Sequence, residues 1–125
     1  MIRGIGIDIL EIHRIQQAIE RYGDIFLDKV FTGSEIAYCK GKDNMFQHFA
    51  ARLASKEAFS KALATGWRGG FRWKDVEVIN DPSGQPQIHL HGTLQDNLSA
   101  STIFVTLSHS DSHVVAAVVI ENQTG

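Results

Sequence analysis

The sequence predicts an α+β domain in which a mainly antiparallel sheet packs against one long helix. Residues 49–66, FAARLASKEAFSKALATG, are rich in helix formers and carry apolar or small side chains on every side, which is typical of a buried helix. Two pairs of strand-like segments, within 74–91 and 103–121, are each joined by a turn sequence, as in antiparallel hairpins. Because 125 residues is the length of one domain, we expect a single domain over residues 1–125.

Composition excludes several classes of protein. The chain is 43% hydrophobic and 21% charged, which is ordinary for a globular domain. A net charge of −2 argues against a general nucleic-acid binder. The single cysteine, Cys39, cannot form an internal disulfide and indicates a reducing compartment. The apolar run at 114–120 is far shorter than the ~20 residues of a membrane helix, and the N-terminus lacks the apolar segment of a signal peptide. We therefore expect a cytoplasmic protein that binds neither nucleic acid nor membrane.

Residues 2–9 predict a first strand. Three isoleucines alternate with Gly4, Gly6 and Asp8, so the two sets lie on opposite faces. Glycine weakens a strand unless something approaches its backbone, so the face of Asp8 has room for a ligand or another chain. A second interpretation makes Asp8 the N-cap of the next helix, with Glu11 completing a capping box.

Residues 10–22 predict the first helix, which ends at Gly23. Arg14 and Arg21 are seven residues apart and share one face. This face is either an ordinary solvated surface or a small basic patch for an acidic partner. The apolar stripe on the opposite side is expected to enter the core, and it consists of Ile12, Ile15, Ile19 and Tyr22.

Capping signals predict the two helices that follow. Thr32 and Glu35 have the spacing of a capping box, which begins a short helix that runs to about Cys39. After a polar loop at 40–44, the long helix continues to a C′ glycine at Gly66, and residues 66–70 form a flexible loop. Within the long helix, Glu57 and Lys61 are four residues apart, either as an ordinary helix pair or as part of a site.

The remaining residues predict two hairpins with a short helix at 93–100 between them. The first pairs 74–80 with 85–91 around the turn Asp81-Pro82-Ser83-Gly84, and Pro86 is tolerable as the first residue of its strand. The second pairs 103–108 with 114–121. Its turn contains His109 and His113 and is either a phosphate site or a polar turn that bonds its own backbone. Residues 114–120, VVAAVVI, lack polar alternation, so both faces of this strand are expected to be buried, in the core or in a subunit interface.

Taken together, these motifs resemble the holo-acyl-carrier-protein synthase family, the short, single-domain type of 4′-phosphopantetheinyl transferase. The similarity covers nearly the whole chain, and G-I-D with K-E-A-x-x-K about fifty residues later is its most specific part. The motifs that carry it are GIGIDILEIHRI at 4–15, FTGSE at 31–35, FAARLASKEAFSKALATG at 49–66, GQP at 84–86, SHS at 108–110 and AAVVIE at 116–121.

The resemblance implies a reaction and a set of partners. The family transfers the phosphopantetheine arm of coenzyme A to a serine of acyl carrier protein and releases adenosine 3′,5′-bisphosphate, and it is a homotrimer with sites at the subunit boundaries. Asp8 and Glu57 match its Mg²⁺-binding acids, and Lys61 matches the lysine that contacts the pyrophosphate. Either Glu57 or a water held by the metal and Glu57 would be the base.

The resemblance also implies coenzyme and partner contacts. Arg52 matches an arginine of the family's R-F-A-x-K-E-A motif, and Lys56 matches its first lysine. Pro86 matches the proline beside the adenine, and His109 lies in the segment that reaches the 3′-phosphate. Arg14 and Arg21 lie on the helix that docks acidic acyl carrier protein.

Two positions depart from the family pattern. Leu53 replaces an aromatic residue, which changes packing near the site, and Gln85 replaces a common lysine, which removes one positive charge near the coenzyme. The alternative function is a non-catalytic coenzyme A-binding or carrier-protein-binding module.

Overall fold

A computed structural model describes residues 1–64 and 72–123 of the chain. It has the predicted α+β class, with antiparallel strands around one long helix. The elements in chain order are β1 (Ile2–Glu11), α1 (Ile12–Tyr22), α2 (Asp24–Val30), α3 (Gly33–Lys40), α4 (Met45–Ala62), a 3-10 turn (Trp73–Asp75), β2 (Val76–Asn80), β3 (Pro86–Leu90), α5 (Thr93–Asn97), β4 (Ser101–His109) and β5 (His113–Asn122).

The strands form two antiparallel sheets. One has the order β1-β5-β4, and the other is the β2-β3 hairpin. The central strand β5 buries alternate residues against α4, while the residues between them are half-buried on the outer face. Within one chain the core therefore buries only the inner face of β5, and burial of the outer face in a subunit interface stays a prediction. The buried residues of β5 are Val114, Ala116, Val118 and Ile120.

The first strand is longer than predicted. It continues through Asp8 to Glu11, and Asp8 pairs with Ala116 of β5. The N-cap of α1 is Glu11, whose side chain makes no capping hydrogen bond. The interpretation of Asp8 as an N-cap is therefore wrong, because Asp8 lies inside the sheet ladder.

The helix α1 buries part of its predicted stripe. Ile15 is buried, and Ile12 and Ile19 pack against the core, but Tyr22 is 55% exposed, so its assignment to the core was wrong. Gly23 has a φ of +57°, which allows a sharp reversal. The helix α2 begins immediately after it, and this element was not predicted.

The next two helices begin and end close to the predicted residues. Thr32 and Glu35 form both bonds of the capping box, and Gly41 is the C-cap of α3. The long helix α4 ends at Ala62, and Ala64 has the left-handed φ of +68° at its C-terminus. The predicted cap at Gly66 and the loop at 66–70 lie outside the described residues.

Both predicted hairpins are present. Val76 pairs with Leu90 and Asn80 pairs with Pro86, while residues 73–75 form the 3-10 turn instead of the start of the strand. The second hairpin pairs β4 with β5 over most of their length. Among the helices in the described part of the chain, none combines the length and apolar character needed to cross a bilayer.

Candidate active site

Two glycines bring β1 directly onto α4. A Cβ atom at Gly4 would lie 1.8 Å from the carbonyl oxygen of Ala62, and one at Gly6 would lie 1.9 Å from that of Ala58. Only a residue without a side chain fits such a contact. The space that the sequence predicted for a ligand or another chain is therefore filled by the helix backbone at these two positions. Asp8 is the next residue on the same face of β1 as the two glycines, so the close contact between β1 and α4 sets its position.

Asp8 forms an ion pair with Lys61. The Nζ of Lys61 donates to Oδ1 of Asp8 at 2.9 Å and to the carbonyl oxygen of Ile7 at 3.1 Å. The Oδ2 atom of Asp8 is buried and has no hydrogen-bond partner among the described residues. An unpaired buried carboxylate oxygen is costly. The pair lines a hollow of about 400 Å³ together with Ile7, Ile9 and Val115.

Glu57 lies one helical turn before Lys61 on α4 and is half-buried. Two residues four apart on a helix share a face. Nowhere in residues 1–64 and 72–123 do three His, Cys, Asp or Glu side chains come together as a metal site. A Mg²⁺ ion at this place would therefore take ligands from one or two carboxylates and from substrate oxygens, which is its usual mode of binding.

Arg52, Pro86 and His109 line a second hollow of about 240 Å³. Arg52 is 3% exposed, and its Nη2 donates to Oδ1 of Asn80 at 2.8 Å. Its guanidinium carbon lies 4.3 Å from the centre of the Tyr38 ring, a cation–π contact. The Nε atom of Arg52 is buried without a hydrogen-bond partner in the described part of the chain. This hollow is therefore cationic, because the charged side chain of Arg52 is one of its walls.

A third hollow, of about 410 Å³, adjoins the other two. It shares Ile9 and Val115 with the hollow of Asp8, and Ser108 and His109 with the hollow of Arg52. The tip of the β4-β5 hairpin thus lies between the acidic and the cationic groups. The structure brings Asp8 together with Lys61, and Arg52 together with Pro86 and His109, as two separate clusters.

Lys56 does not belong to either cluster. Its fully buried Nζ donates to Oε1 of Glu35 at 2.9 Å and to two backbone carbonyls, of Trp73 and Val76. Burial lowers the pKa of Lys56, and the carboxylate of Glu35 opposes that shift. The other carboxylate oxygen of Glu35 accepts from the Val78 amide at 2.9 Å. This ion pair therefore joins α3, α4 and β2.

The buried network extends to Glu77. Its Oε2 accepts from the hydroxyl of Thr32, and its Oε1 lies 2.9 Å from Nε2 of His91. Burial raises the pKa of Glu77, but the bonds to Thr32 and His91 and the charges of His91 and Lys56 outweigh it, so the pKa lies below its usual 4.5. Glu77 therefore favours the charged form in the fold.

The two arginines of α1 are not among the residues that line the three hollows. Arg14 is 80% exposed and approaches Glu11 at 3.5 Å, and Arg21 lies over the ring of Tyr22 at 5.4 Å. Both side chains are in the exposed face that the sequence predicts. Their role as a docking surface stays a prediction.

Some residues of the clusters were missed by sequence reasoning. Asn80 holds Arg52, Tyr38 stacks on it, and His48 lines the same hollow. Asn80 could have been found, because the predicted hairpin pairs it with Pro86. No local pattern places Tyr38 or His48 beside residues of β2 and β4.

Comparison with known proteins shows a full-length similarity. The model of the 4′-phosphopantetheinyl transferase superfamily matches residues 4–118. Proteins named holo-[acyl-carrier-protein] synthase from Solibacter usitatus and Geobacter sulfurreducens are 45% and 46% identical over 125 and 124 residues. These matches cover 98% and 97% of this chain, and 100% and 98% of those proteins.

Solved structures have the same fold. A holo-[acyl-carrier-protein] synthase from Neisseria meningitidis matches with a TM-score of 0.88 at 30% identity, covering 98% of this chain and 100% of that one. One from Bacillus anthracis, in complex with CoA (3′,5′-ADP), matches with a TM-score of 0.83 at 34% identity, covering 98% and 99%. One from Helicobacter pylori, in complex with coenzyme A, has a TM-score of 0.84 at 32% identity and covers 94% and 99%.

Proposed function

The chain belongs to the 4′-phosphopantetheinyl transferase superfamily, and we propose that it works at the reacting phosphate with Asp8, Glu57 and Lys61. As a holo-acyl-carrier-protein synthase, it transfers the 4′-phosphopantetheine group of coenzyme A to a serine of apo acyl carrier protein in fatty acid biosynthesis. The second product is adenosine 3′,5′-bisphosphate. The observation that carries this function is the identity of 45% over nearly the full length to a protein of that name.

The proposed cofactor is Mg²⁺, held by Asp8 and Glu57. The fit rests on Oδ2 of Asp8, a buried carboxylate oxygen without a partner among the described residues. Carboxylate oxygens are ligands that Mg²⁺ prefers. When bound, the ion would neutralise charge on the phosphate oxygens of the donor. The carboxylates of this chain would fix where that charge is neutralised.

Lys61 is proposed to hold the pyrophosphate. Its side chain is 55% exposed, and its amine already lies 2.9 Å from Asp8, so it can reach a phosphate oxygen beside that carboxylate. Glu57, one turn away, is proposed to take the proton of the serine hydroxyl, directly or through a water. Phosphoryl transfer depends mainly on positioning and electrostatics, so these three side chains suffice.

Arg52, Pro86 and His109 are proposed to bind the nucleotide part of coenzyme A. They line one hollow, and the guanidinium of Arg52 brings a positive charge to its wall. Pro86 would pack against the adenine, while Arg52 and His109 would face its phosphate. The hollow of Arg52 is separate from the hollow of Asp8. This agrees with a long donor molecule whose nucleotide would bind in the first hollow and whose reacting phosphate would lie in the second.

A homotrimer is proposed because the outer face of the three-stranded sheet is apolar and exposed in one chain. Ile5, Ile7 and Ile9 are 68%, 61% and 61% exposed, and Phe104 is 52% exposed. Patches of this kind mark interfaces. The hollow of Asp8 opens beside Ile7 and Ile9, so a neighbouring subunit would line the site. Sedimentation of a fully active monomer would refute the shared site.

We further propose one domain over residues 1–125, a cytoplasmic location, and docking of acyl carrier protein on Arg14 and Arg21. The free, buried thiol of Cys39 agrees with a reducing compartment. The exposed guanidinium of Arg14 agrees with a surface for an acidic partner.

Mass spectrometry of apo acyl carrier protein tests the function. Incubation with coenzyme A, Mg²⁺ and this enzyme should add one phosphopantetheine, and Asp8→Asn or Glu57→Gln should abolish the addition while circular dichroism stays unchanged. Binding of coenzyme A without any mass increase would instead indicate the non-catalytic module. Wild-type turnover in either variant at saturating Mg²⁺ would remove that residue from the site.

A further inference from the structure

His48 is a half-buried residue of α4 to which the proposed reaction gives no role. It lines the hollow of about 240 Å³ together with Arg52, Asn80, Pro86 and His109. Its ring lies edge-on to Tyr38, with 5.6 Å between centroids. Arg52 and Lys42 contact the same Tyr38 ring, at 4.3 and 4.8 Å from its centre. His48 is therefore fixed by packing at the wall of a cationic hollow.

Among the described residues, the charged or titratable groups that act on His48 all disfavour its protonated form. Burial lowers the pKa of its imidazole below the usual 6.5, and the charges of Arg52, Lys42 and His109 lower it further. These groups come from three places: Arg52 from the same helix, Lys42 from the preceding loop and His109 from the end of β4. An anion in the hollow would act in the opposite direction and raise the pKa of His48, because a negative charge favours the protonated imidazole.

The buried Arg52 side chain also has an unused donor. The Nε atom of Arg52 is buried without a hydrogen-bond partner in residues 1–64 and 72–123, although Nη2 of the same side chain is bonded to Asn80. A buried donor left unpaired is costly. A phosphate monoester in the hollow could accept a hydrogen bond from His48, beside the positive charge of Arg52.

We propose that His48 is a specificity-determining residue that takes up a proton when a phosphate monoester binds beside Arg52. The inference rests on the proposed function, in which the monoester is the 3′-phosphate of coenzyme A. It adds a proton-linked contact on α4 to those already proposed for Arg52 and His109. Affinity for the 3′-phosphate should then fall as pH rises through the pKa of His48 in the complex.

Calorimetric titration with coenzyme A and with 3′-dephospho-coenzyme A, between pH 5.5 and 8.5, tests the proposal without carrier protein or turnover. His48→Gln should weaken the binding of coenzyme A about tenfold at the acid end, the size of a one-unit shift in pKa. The loss should shrink toward pH 8.5, and 3′-dephospho-coenzyme A should be unaffected throughout. His89→Gln, an exposed histidine of β3, is the matched control and should behave as wild type.

NMR titration of wild-type imidazoles tests the same idea without a variant that must fold. The His48 resonance, assigned in the wild type by its through-space contact with the Tyr38 ring, should titrate at higher pH when adenosine 3′,5′-bisphosphate is bound. An unchanged titration, or equal losses with both forms of the coenzyme, would overturn the role of His48 and leave the proposed function intact. No binding of coenzyme A to the wild type would overturn both.

Discussion

Two lysines of α4, five residues apart, make ion pairs of the same length in opposite surroundings. The Nζ atoms of Lys56 and Lys61 each lie 2.9 Å from a carboxylate oxygen, of Glu35 and Asp8. Both side chains of the first pair are 0% exposed, whereas in the second pair Lys61 is 55% exposed and Asp8 is 14% exposed. The same chemical pair is thus part of the core in one place and part of a hollow in the other.

The difference lies in how fully each group is bonded. Lys56 donates to one carboxylate and two carbonyls, so its three donors are used. Asp8 has one oxygen without a partner among the described residues. A saturated buried pair can only hold elements together, whereas an unsaturated pair beside solvent can exchange its partners. We therefore expect changes at Lys56 to act on stability and changes at Lys61 to act on catalysis.

The largest effect is expected for Lys56→Met. It leaves the carboxylate of Glu35 buried without its cation, and breaking a buried pair from one side costs about 3–5 kcal/mol. The free energy of unfolding, measured by urea denaturation at pH 7, should fall by this amount. The matched control is Lys40→Met, since Lys40 forms a half-exposed pair with Asp24 at 3.9 Å, and its loss should stay under about 1 kcal/mol. Equal losses in the free energy of unfolding of Lys56→Met and Lys40→Met would contradict the special structural role of the buried pair.

The next effect is expected for Lys61→Met, and it is kinetic. Removing a charge that stabilises the transition state lowers kcat by roughly 10²–10³-fold. Stability should fall by less than in Lys56→Met, because the side chain of Lys61 is 55% exposed, but by more than at an open surface pair, because the Asp8 carboxylate that loses its cation is 14% exposed. Initial rates of carrier-protein labelling and urea denaturation of the same sample check both statements. A stability loss as large as that of Lys56→Met, with kcat unchanged, would show that the two pairs do the same thing.

Sequence patterns predicted the elements that have local signals. The capping box at Thr32 and Glu35, the turn at 81–84 and the second hairpin are local, and all are present. The helix α2 was missed, although Asp24 in its first turn and Lys29 in its last are helix signals. Its seven residues follow Gly23 without a linker, so in the sequence its start could not be told apart from the end of α1.

The candidate site was predictable only in part. The resemblance gave Asp8 and Lys61, which the structure brings together, but the bond from Lys61 to the Ile7 carbonyl depends on how β1 lies on α4. The glycines of β1 signalled a close approach, and the approaching group is the helix itself. The second role of Glu35, as the partner of Lys56, links residues 21 apart that no local pattern connects.

A smaller effect, at the edge of the buried network, is expected for Glu77→Gln. The pKa of Glu77 is lowered in the fold, so its charged form stabilises the protein above the unfolded pKa, and this contribution is lost as pH falls through the folded value. Wild type should be more stable than the variant by about 1–2 kcal/mol at pH 7, as expected for bonds to a charged group. The difference should shrink as pH falls below 4.5. Denaturation midpoints at pH 7, 5, 4 and 3 measure it, and a difference that is constant with pH would contradict the charge argument.

The smallest effect is expected on the open surface, for Arg14→Glu. Arg14 is 80% exposed and its contact with Glu11 is 3.5 Å long, so stability should change by no more than about 0.5 kcal/mol. If α1 docks acidic carrier protein, KM for that substrate should rise several-fold at low salt, and the rise should shrink as salt screens the charge. KM for coenzyme A should stay constant, because Arg14 lines none of the three hollows.

Lys29→Glu is the matched control for this surface, because it makes the same change of charge at an exposed position of α2. A rise in KM for carrier protein in Arg14→Glu alone would locate docking on α1. An equal rise in both variants would mean that net charge, and not this helix, steers the partner. A parallel rise in the KM values for carrier protein and for coenzyme A would instead show that α1 has a structural role near the active site. Arg14 would then act on the structure, as Lys56 does, and not on a substrate, as Lys61 is proposed to do.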